Sequence, residues 1–344
     1  MTSKVAILGT TGWGTTLGVM LAAGKKEVVL LARTPEEAGQ LNSDRENMAH
    51  LPSVPFPEHL RVTSSPEEAM QMARVTILAV PAQTMRENLR LTGRYLGEST
   101  LLLCIAKGLE IETAKRMSEV IDEELEGRFT GRLAVLSGPN FAKEVAQGLP
   151  TATVIASADI EVANDIQRVI APPNFRAYVN EDIIGVEMGG ALKNVMALAV
   201  GMSDGLGFGD NSRAALITRG LAEMARLGVA AGARPLTFAG LAGLGDLVAT
   251  CTSRLSRNRF VGQELAKGRP LEGILDSMSG IAEGVDTTIA TLRLARNLGV
   301  EMPIAEQVYR VLFEGLPVAE AVPALMEREL KHELDFDITE SGGS

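Results

Sequence analysis

Lys193 carries the clearest chemistry in the chain, within Glu187-Met188-Gly189-Gly190-Ala191-Leu192-Lys193-Asn194-Val195. On a helix, side chains lean toward the N-terminus, so Lys193 is expected to lie over Gly189 and Gly190. Two glycines inside a helix each cost roughly 1 kcal/mol relative to alanine. The expected return is space, a cavity beside the ammonium for a substrate. Val186, Leu192, Val195 and Met196 surround it, and such desolvation lowers a lysine pKa, making a group that can give or take a proton near neutral pH. Three other segments offer partners. Lys107 follows an apolar run in Cys104-Ile105-Ala106-Lys107-Gly108, and Gly138 and Asn140 follow another in Leu136-Ser137-Gly138-Pro139-Asn140. Gly243-Leu244-Gly245-Asp246 delivers one carboxylate from a glycine-dense loop. Ser253-Arg254-Leu255-Ser256-Arg257-Asn258-Arg259 groups three arginines with Ser and Asn donors; arginine forks suit phosphate, and such a cluster in an acidic chain suggests a small anionic substrate or, alternatively, a solvated helix flank.

A second constellation points to a dinucleotide. Gly9-Thr10-Thr11-Gly12-Trp13-Gly14 lies between the apolar run Val5–Leu8 and a helix expected to start near Thr15. There, backbone N–H groups and the helix dipole attract a pyrophosphate. Gly9 and Gly14 match the outer glycines of G-x-G-x-x-G, but Thr11 stands at the middle one, where the backbone normally approaches the phosphates. Either Gly12 takes over that role or the Thr11 hydroxyl itself is a ligand. An acid at the end of the second strand would bond the ribose 2′-hydroxyl of NAD, whereas an arginine suits the 2′-phosphate of NADP. The chain has Leu31-Ala32-Arg33-Thr34-Pro35 with no acid until Glu36, which leans toward NADP(H).

Both constellations need a parallel sheet, because open α/β sheets bind ligands beyond the carboxyl ends of their strands. Candidate strands are Val5–Leu8, Val28–Leu31, Val75–Val80, Leu101–Ala106, Leu133–Ser137, Thr153–Ala156 and Phe175–Val179, several of them continuous apolar runs of the kind buried on both faces. Residues 34–62, rich in Asn, Pro and charge, read as an irregular insertion. After Val179 the pattern turns helical: Asp182–Gly201, Arg213–Leu227 (with Ile217, Leu221 and Met224 on one face), Gly262–Lys267, Gly284–Leu298 and Ile304–Phe313. The expected fold class is α/β, a Rossmann-like doubly wound sheet domain at 1–180 followed by an all-α domain at 181–344. Ser341–Ser344 is expected to fray.

Bulk properties narrow the partners. The 344 residues carry a net charge of −10, which argues against nucleic acid or anionic membrane as general partners. Val5–Gly24 has no charged residue, but five glycines and four threonines make it a buried strand, turn and helix rather than a membrane span or signal peptide. Cys104 and Cys251 cannot build a disulfide framework, and His50, His59 and His332 lack metal-ligand spacing, so the expected setting is a reducing cytoplasm without metal chemistry.

Taken in order, these motifs resemble the bacterial NAD(P)-dependent glycerol-3-phosphate dehydrogenases over nearly the whole length. The resemblance rests on the glycine-rich turn with Trp13, Ala106-Lys107-Gly108-Leu109-Glu110, Ser137-Gly138-Pro139, Phe141-Ala142-Lys143-Glu144, Gly189-Gly190 with Lys193-Asn194, Gly201-Met202-Ser203-Asp204-Gly205, Gly243-Leu244-Gly245-Asp246-Leu247 and Ser256-Arg257-Asn258-Arg259. It implies Lys193 as proton donor to the ketone of dihydroxyacetone phosphate, and as acceptor from sn-glycerol 3-phosphate in reverse. It also implies Lys107, Gly138, Asn140, Asp246, Ser256, Arg257 and Asn258 at the substrate. Around the cofactor it implies Gly9, Thr11, Gly12, Trp13, Gly14, Arg33, Lys107, Ala142, Arg257, Ile281 and Glu283. The family often has Thr or Ser where Asn140 stands. Phospholipid precursor synthesis, NAD(H) or NADP(H) as cofactor and a homodimer are further implications. Another dehydrogenase of this build acting on a hydroxy or keto acid is the nearest rival, and a non-catalytic cofactor sensor is a more distant one.

Overall fold

The computed structural model describes residues 4–278 and 280–326. His332 and the tail Ser341–Ser344 therefore lie outside the described residues. Among the described residues ten strands occur: β1 (Val5–Leu8), β2 (Val28–Leu31), β3 (Glu46–Asn47), β4 (Leu51–Pro55), β5 (Leu60–Thr63), β6 (Val75–Leu78), β7 (Leu101–Cys104), β8 (Leu133–Ser137), β9 (Thr151–Ala156) and β10 (Phe175–Asn180). Between them run α1 (Gly12–Ala23), α2 (Pro35–Asp44), α3 (Pro66–Met70), α4 (Met85–Thr92), α5 (Met117–Glu124), α6 (Ala142–Ala146) and α7 (Ile160–Ile170). After β10 come α8 (Ile183–Gly205), α9 (Asp210–Ala230), α10 (Asp246–Thr252), α11 (Arg257–Ala266), α12 (Leu271–Asp276), α13 (Glu283–Leu298), α14 (Pro303–Phe313) and α15 (Val318–Met326).

Eight strands form one sheet in the order β10-β9-β8-β7-β6-β1-β2-β5. From β1 the chain winds outward through β2 to β5, then returns to β6 on the other side of β1 and winds through β7 to β8. The reversal between β1 and β6 is the topological switch point at which such sheets open a crevice. β1, β2, β6 and β7 are buried at all four positions, as continuous apolar runs require. One layer of the core joins Ile7, Leu17, Leu30 and Ile77, and a second, on the opposite sheet face, joins Leu8, Leu78, Met85 and Val120. The edge is mixed: β9 pairs antiparallel with β8, and β10 pairs parallel with β9.

The irregular insertion expected at 34–62 is a correction. It holds α2, a small antiparallel pair of β3 with β4, and β5, which extends the main sheet in parallel with β2. The signal was weak for physical reasons. Pro52 and Pro55 sit in β4, which pairs with only two residues, and proline is tolerated in a strand that donates to no central ladder. β5 is an edge strand that buries Leu60 and Val62 but turns Arg61 outward, so it shows no apolar run.

In the helical half α8 is buried along nearly all its length. It is the one helix among the described residues long and apolar enough to cross a membrane, yet 83% of its most apolar window is covered by the rest of the protein. α11 crosses it in close contact. A side chain at Gly201 would collide with the Arg259 carbonyl, and one at Gly262 with the Leu198 carbonyl, so the two backbones touch. That crossing carries the residues just before α11 to the flank of α8.

Candidate active site

The turn after β1 is shaped to admit an anion. Gly9 has φ +104 and lies against Ala79 and Val80, the residues that follow β6 across the switch point. A Cβ on Gly14 would come within 2.8 Å of Ala79 Cβ, so α1 can enter the crevice only as glycine at that point. The helix begins at Gly12, earlier than Thr15, with Thr11 as its N-cap. Thr11 Oγ1 accepts the Gly14 N–H (3.2 Å) and donates to the Ala79 carbonyl (2.8 Å). Its hydroxyl is thus spent within the protein. No acidic residue occupies the first turn of α1, and the His50 carbonyl lies over Gly12. Buried Asn47, on β3, locks the turn by donating to the Thr10 carbonyl and Thr15 Oγ1, both at 2.9 Å. No sequence signal marked Asn47. Trp13 packs half-buried against Phe175 at 6.2 Å between ring centres, and its indole N–H is buried without a protein partner. Ala142 opens α6 beside α1, where its carbonyl accepts from Thr16. Arg33 follows β2 with its side chain exposed. These features fit a dinucleotide: a glycine cradle and a helix N-terminus with no acid in its first turn.

Next along the crevice, two lysines from different halves of the chain meet on one carboxylate. Lys193 Nζ, on α8, donates to Asp246 Oδ1 (2.6 Å) and Thr250 Oγ1 (2.8 Å). Lys107 Nζ, beyond β7, donates to Asp246 Oδ2 (2.8 Å), the Gly138 carbonyl (2.9 Å) and Asn140 Oδ1 (2.9 Å). Asn140 is held in turn by donating to Thr153 Oγ1. Gly138 has φ +143, and a Cβ there would press on Thr153 at 3.0 Å, so glycine is needed to bring its carbonyl to Lys107. Burial resists ionisation of Asp246, but Lys107 and Lys193 together hold its carboxyl below the ordinary value. The balance differs at Lys107. Burial pushes its ammonium down to about 8, Asp246 pulls the other way, and Lys193 adds to the fall.

The expectation about Gly189 and Gly190 needs correcting. They do not leave a ligand cavity. A Cβ on Gly189 would lie 2.5 Å from the Ala242 carbonyl, and one on Gly190 would lie 2.5 Å from Ser137 Oγ. The glycines admit protein: they let α8 approach the loop before Asp246 and the end of β8. Their service to Lys193 is to bring Asp246 within reach.

The third group lies where α11 and α13 begin. Ser256 is the N-cap of α11, its hydroxyl accepting the Arg259 N–H. Asn258 is buried; it donates to Asn194 Oδ1 (2.8 Å) and accepts the Gly284 N–H (3.0 Å). Asn194 passes the connection to the Lys107 carbonyl (3.2 Å). The amides therefore tie both helix starts to the lysine loop rather than standing open. Arg257 alone of this trio is exposed, with its guanidinium against Gly280. Glu283 opens α13 beside it; burial raises that carboxyl's pKa, with Arg257 the strongest opposing charge. Ile281, half exposed, lies on the same loop. Arg259 is not part of an anion fork: with Arg213 it pairs to the buried Asp204.

Comparison with known proteins agrees with this arrangement. The family model for the NAD-dependent glycerol-3-phosphate dehydrogenase N-terminus matches residues 4–163, and that for the C-terminus matches 182–323. The chain belongs to the NAD-dependent glycerol-3-phosphate dehydrogenase family. It is 51% identical over 333 residues to a glycerol-3-phosphate dehydrogenase [NAD(P)+] of Dehalococcoides mccartyi, covering 96% of this chain and 93% of the relative. A Moorella thermoacetica relative of the same description is 50% identical, covering 97% and 99%. The crystal structure of glycerol-3-phosphate dehydrogenase from Coxiella burnetii superposes with a TM-score of 0.90 at 37% identity, covering 95% of this chain and 99% of that one. The chain is accordingly an oxidoreductase with a Rossmann-like sheet and a helical C-terminal region.

Proposed function

We propose that this chain reduces dihydroxyacetone phosphate to sn-glycerol 3-phosphate with NAD(P)H, reversibly, and that Lys193 is its acid–base catalyst. The observation that carries the reading is the carboxylate of Asp246 bonded to both Lys107 and Lys193 at the mouth of the switch-point crevice. The nicotinamide, when bound, supplies the hydride that reaches C2 of the ketone. Gly9, Thr11, Gly12, Trp13 and Gly14 would hold the dinucleotide, Thr11 through its backbone because its hydroxyl is already engaged. Arg33, Ala142, Arg257, Ile281 and Glu283 would complete that site, with Arg33 the natural partner of an NADP 2′-phosphate.

Lys193 Nζ donates a proton to the C2 oxygen as negative charge develops there, and its charge stabilises that oxygen in a water-poor cleft. Thr250 and Asp246 fix two of its hydrogen-bonding directions, which leaves the third for substrate. In the reverse direction Lys193 takes the proton from the hydroxyl. Lys107, one bond further along the same carboxylate, has its three donors engaged by Asp246, Gly138 and Asn140, so it would act on the substrate through its charge and by exchanging one of those bonds. The phosphate would rest on the N-terminus of α11, where the first N–H groups lack helical partners, with Arg257 as its counter-charge and Ser256 and Asn258 shaping that terminus. The helices of the C-terminal half would also supply a homodimer surface. The product suits glycerophospholipid synthesis in the cytoplasm.

The test is NADPH and NADH oxidation with dihydroxyacetone phosphate, repeated with short keto acids and with Lys193→Ala. Lys193→Ala should lower kcat at least about a hundredfold, the low end for positioned acid–base catalysis. Turnover of keto acids alone would sink the substrate assignment, and an unaltered kcat in Lys193→Ala would sink the catalytic one.

A further inference from the structure

The adenosine end of the crevice holds an acid that the linear order of residues conceals. Glu37 comes too late to end β2, yet its carboxylate returns there. Thr34 caps α2 by accepting the Glu37 N–H (3.2 Å), and Pro35 starts the helix directly behind Arg33. From the third helical position Glu37 folds back: Oε2 accepts the Arg33 backbone N–H (3.0 Å), and Oε1 accepts from Thr10 Oγ1 at 2.5 Å. One carboxylate thus bridges the end of β2 and the residue after Gly9. That is the position from which a Rossmann acid meets the ribose 2′-hydroxyl. Thr10 and Glu37 are both only partly buried, so the bridge is open to a ligand along one side.

We propose that Glu37 sets the balance between NADH and NADPH: its carboxylate accepts the ribose 2′-hydroxyl of NADH and opposes the 2′-phosphate that Arg33 attracts. The inference rests on the cofactor reading above. Arg33 and Glu37 then act against each other at one position, and the chain accepts both dinucleotides with a preference that either residue can tip.

The experiment is fluorescence titration of NADPH and NADH into the wild-type chain, Glu37→Gln and Arg33→Gln, without substrate, followed by kcat/KM for each cofactor. Glu37→Gln keeps one acceptor oxygen for the Arg33 N–H and gains an amide that can donate to Thr10 Oγ1, so the start of α2 survives. It should tighten NADPH several-fold and weaken NADH about tenfold, the order expected for losing one charge-assisted hydrogen bond. Arg33→Gln should move the ratio the opposite way. A purely helix-capping role would change both cofactors alike, so a NADPH/NADH ratio within twofold of wild type in Glu37→Gln overturns the proposal. If Arg33→Gln shifts the ratio in that same experiment, the cofactor reading survives and only the role of Glu37 falls. A wild-type chain that binds neither dinucleotide overturns both.

Discussion

Asp246→Asn isolates the central electrostatic element of the site. The substitution preserves shape but removes the one carboxylate bonded to Lys107 and Lys193. In the wild-type protein Lys107 remains charged below about pH 8, against an ordinary value of 10.5. Each pH unit of such a shift corresponds to roughly 1.4 kcal/mol, so burying that ammonium already lowers stability by about 3 kcal/mol below pH 8. Asp246 is the largest influence holding the value up. Without it Lys107 should fall further below 8 and give up its proton in the folded state at a lower pH than in the wild type. The sign follows from proton counting. Between pH 6 and 8 the wild-type lysine is protonated folded and unfolded, so it contributes no slope. Above its own lowered pKa the variant's lysine is protonated only when unfolded, so there the variant gains roughly 1.4 kcal/mol of stability per pH unit. The destabilisation by Asp246→Asn should therefore contain a part that shrinks by up to roughly 1.4 kcal/mol per pH unit as pH rises toward 8 and is lost above it, above a constant part from lost hydrogen bonds. Urea unfolding of both proteins at pH 6, 7, 8 and 9 measures it. A difference in stability that stays constant from pH 6 to 9 would refute the coupling of Lys107 to Asp246.

Two further outcomes follow from the same geometry. If Lys107 holds the substrate as an ammonium, KM for dihydroxyacetone phosphate should rise above pH 8, by up to about tenfold per unit as the proton is lost. Initial rates from pH 6.5 to 9.5 test this, and a flat KM would remove Lys107 from substrate binding. Gly189→Ala gains roughly 1 kcal/mol of helix propensity but sets a methyl 2.5 Å from the Ala242 carbonyl, where backbone must move. A net loss of up to about 2 kcal/mol is expected, since overpacking costs roughly 1–3 and the propensity gain offsets about 1. Because the displaced loop leads to Asp246, kcat/KM should fall more than tenfold; wild-type melting and activity together would show that the contact is slack.

The central strands and the buried helix α8 were legible in the sequence because their residues are apolar whatever their neighbours. The glycine-rich turn was legible because its glycines and the following helix are local. Lys107, Lys193 and Asp246 stood out as a charged residue at the end of an apolar run, beside paired glycines and after a glycine-dense loop. That both lysines share the one carboxylate was decided by tertiary structure alone, since Asp246 lies far along the chain from both and only the packing of α8 against the end of β8 joins them. The role of Gly189 and Gly190 changed for the same reason: sequence marks where side chains are missing, and the fold decides what fills the gap. β5 was hidden because an edge strand needs only one apolar face. Asn258 looked like an open donor but spends its amide on Asn194 and Gly284. Glu37 shows the limit most plainly. Its position along the chain puts it past the end of β2, and only the backward reach from the first turn of α2 returns its carboxylate to the place where a cofactor is chosen.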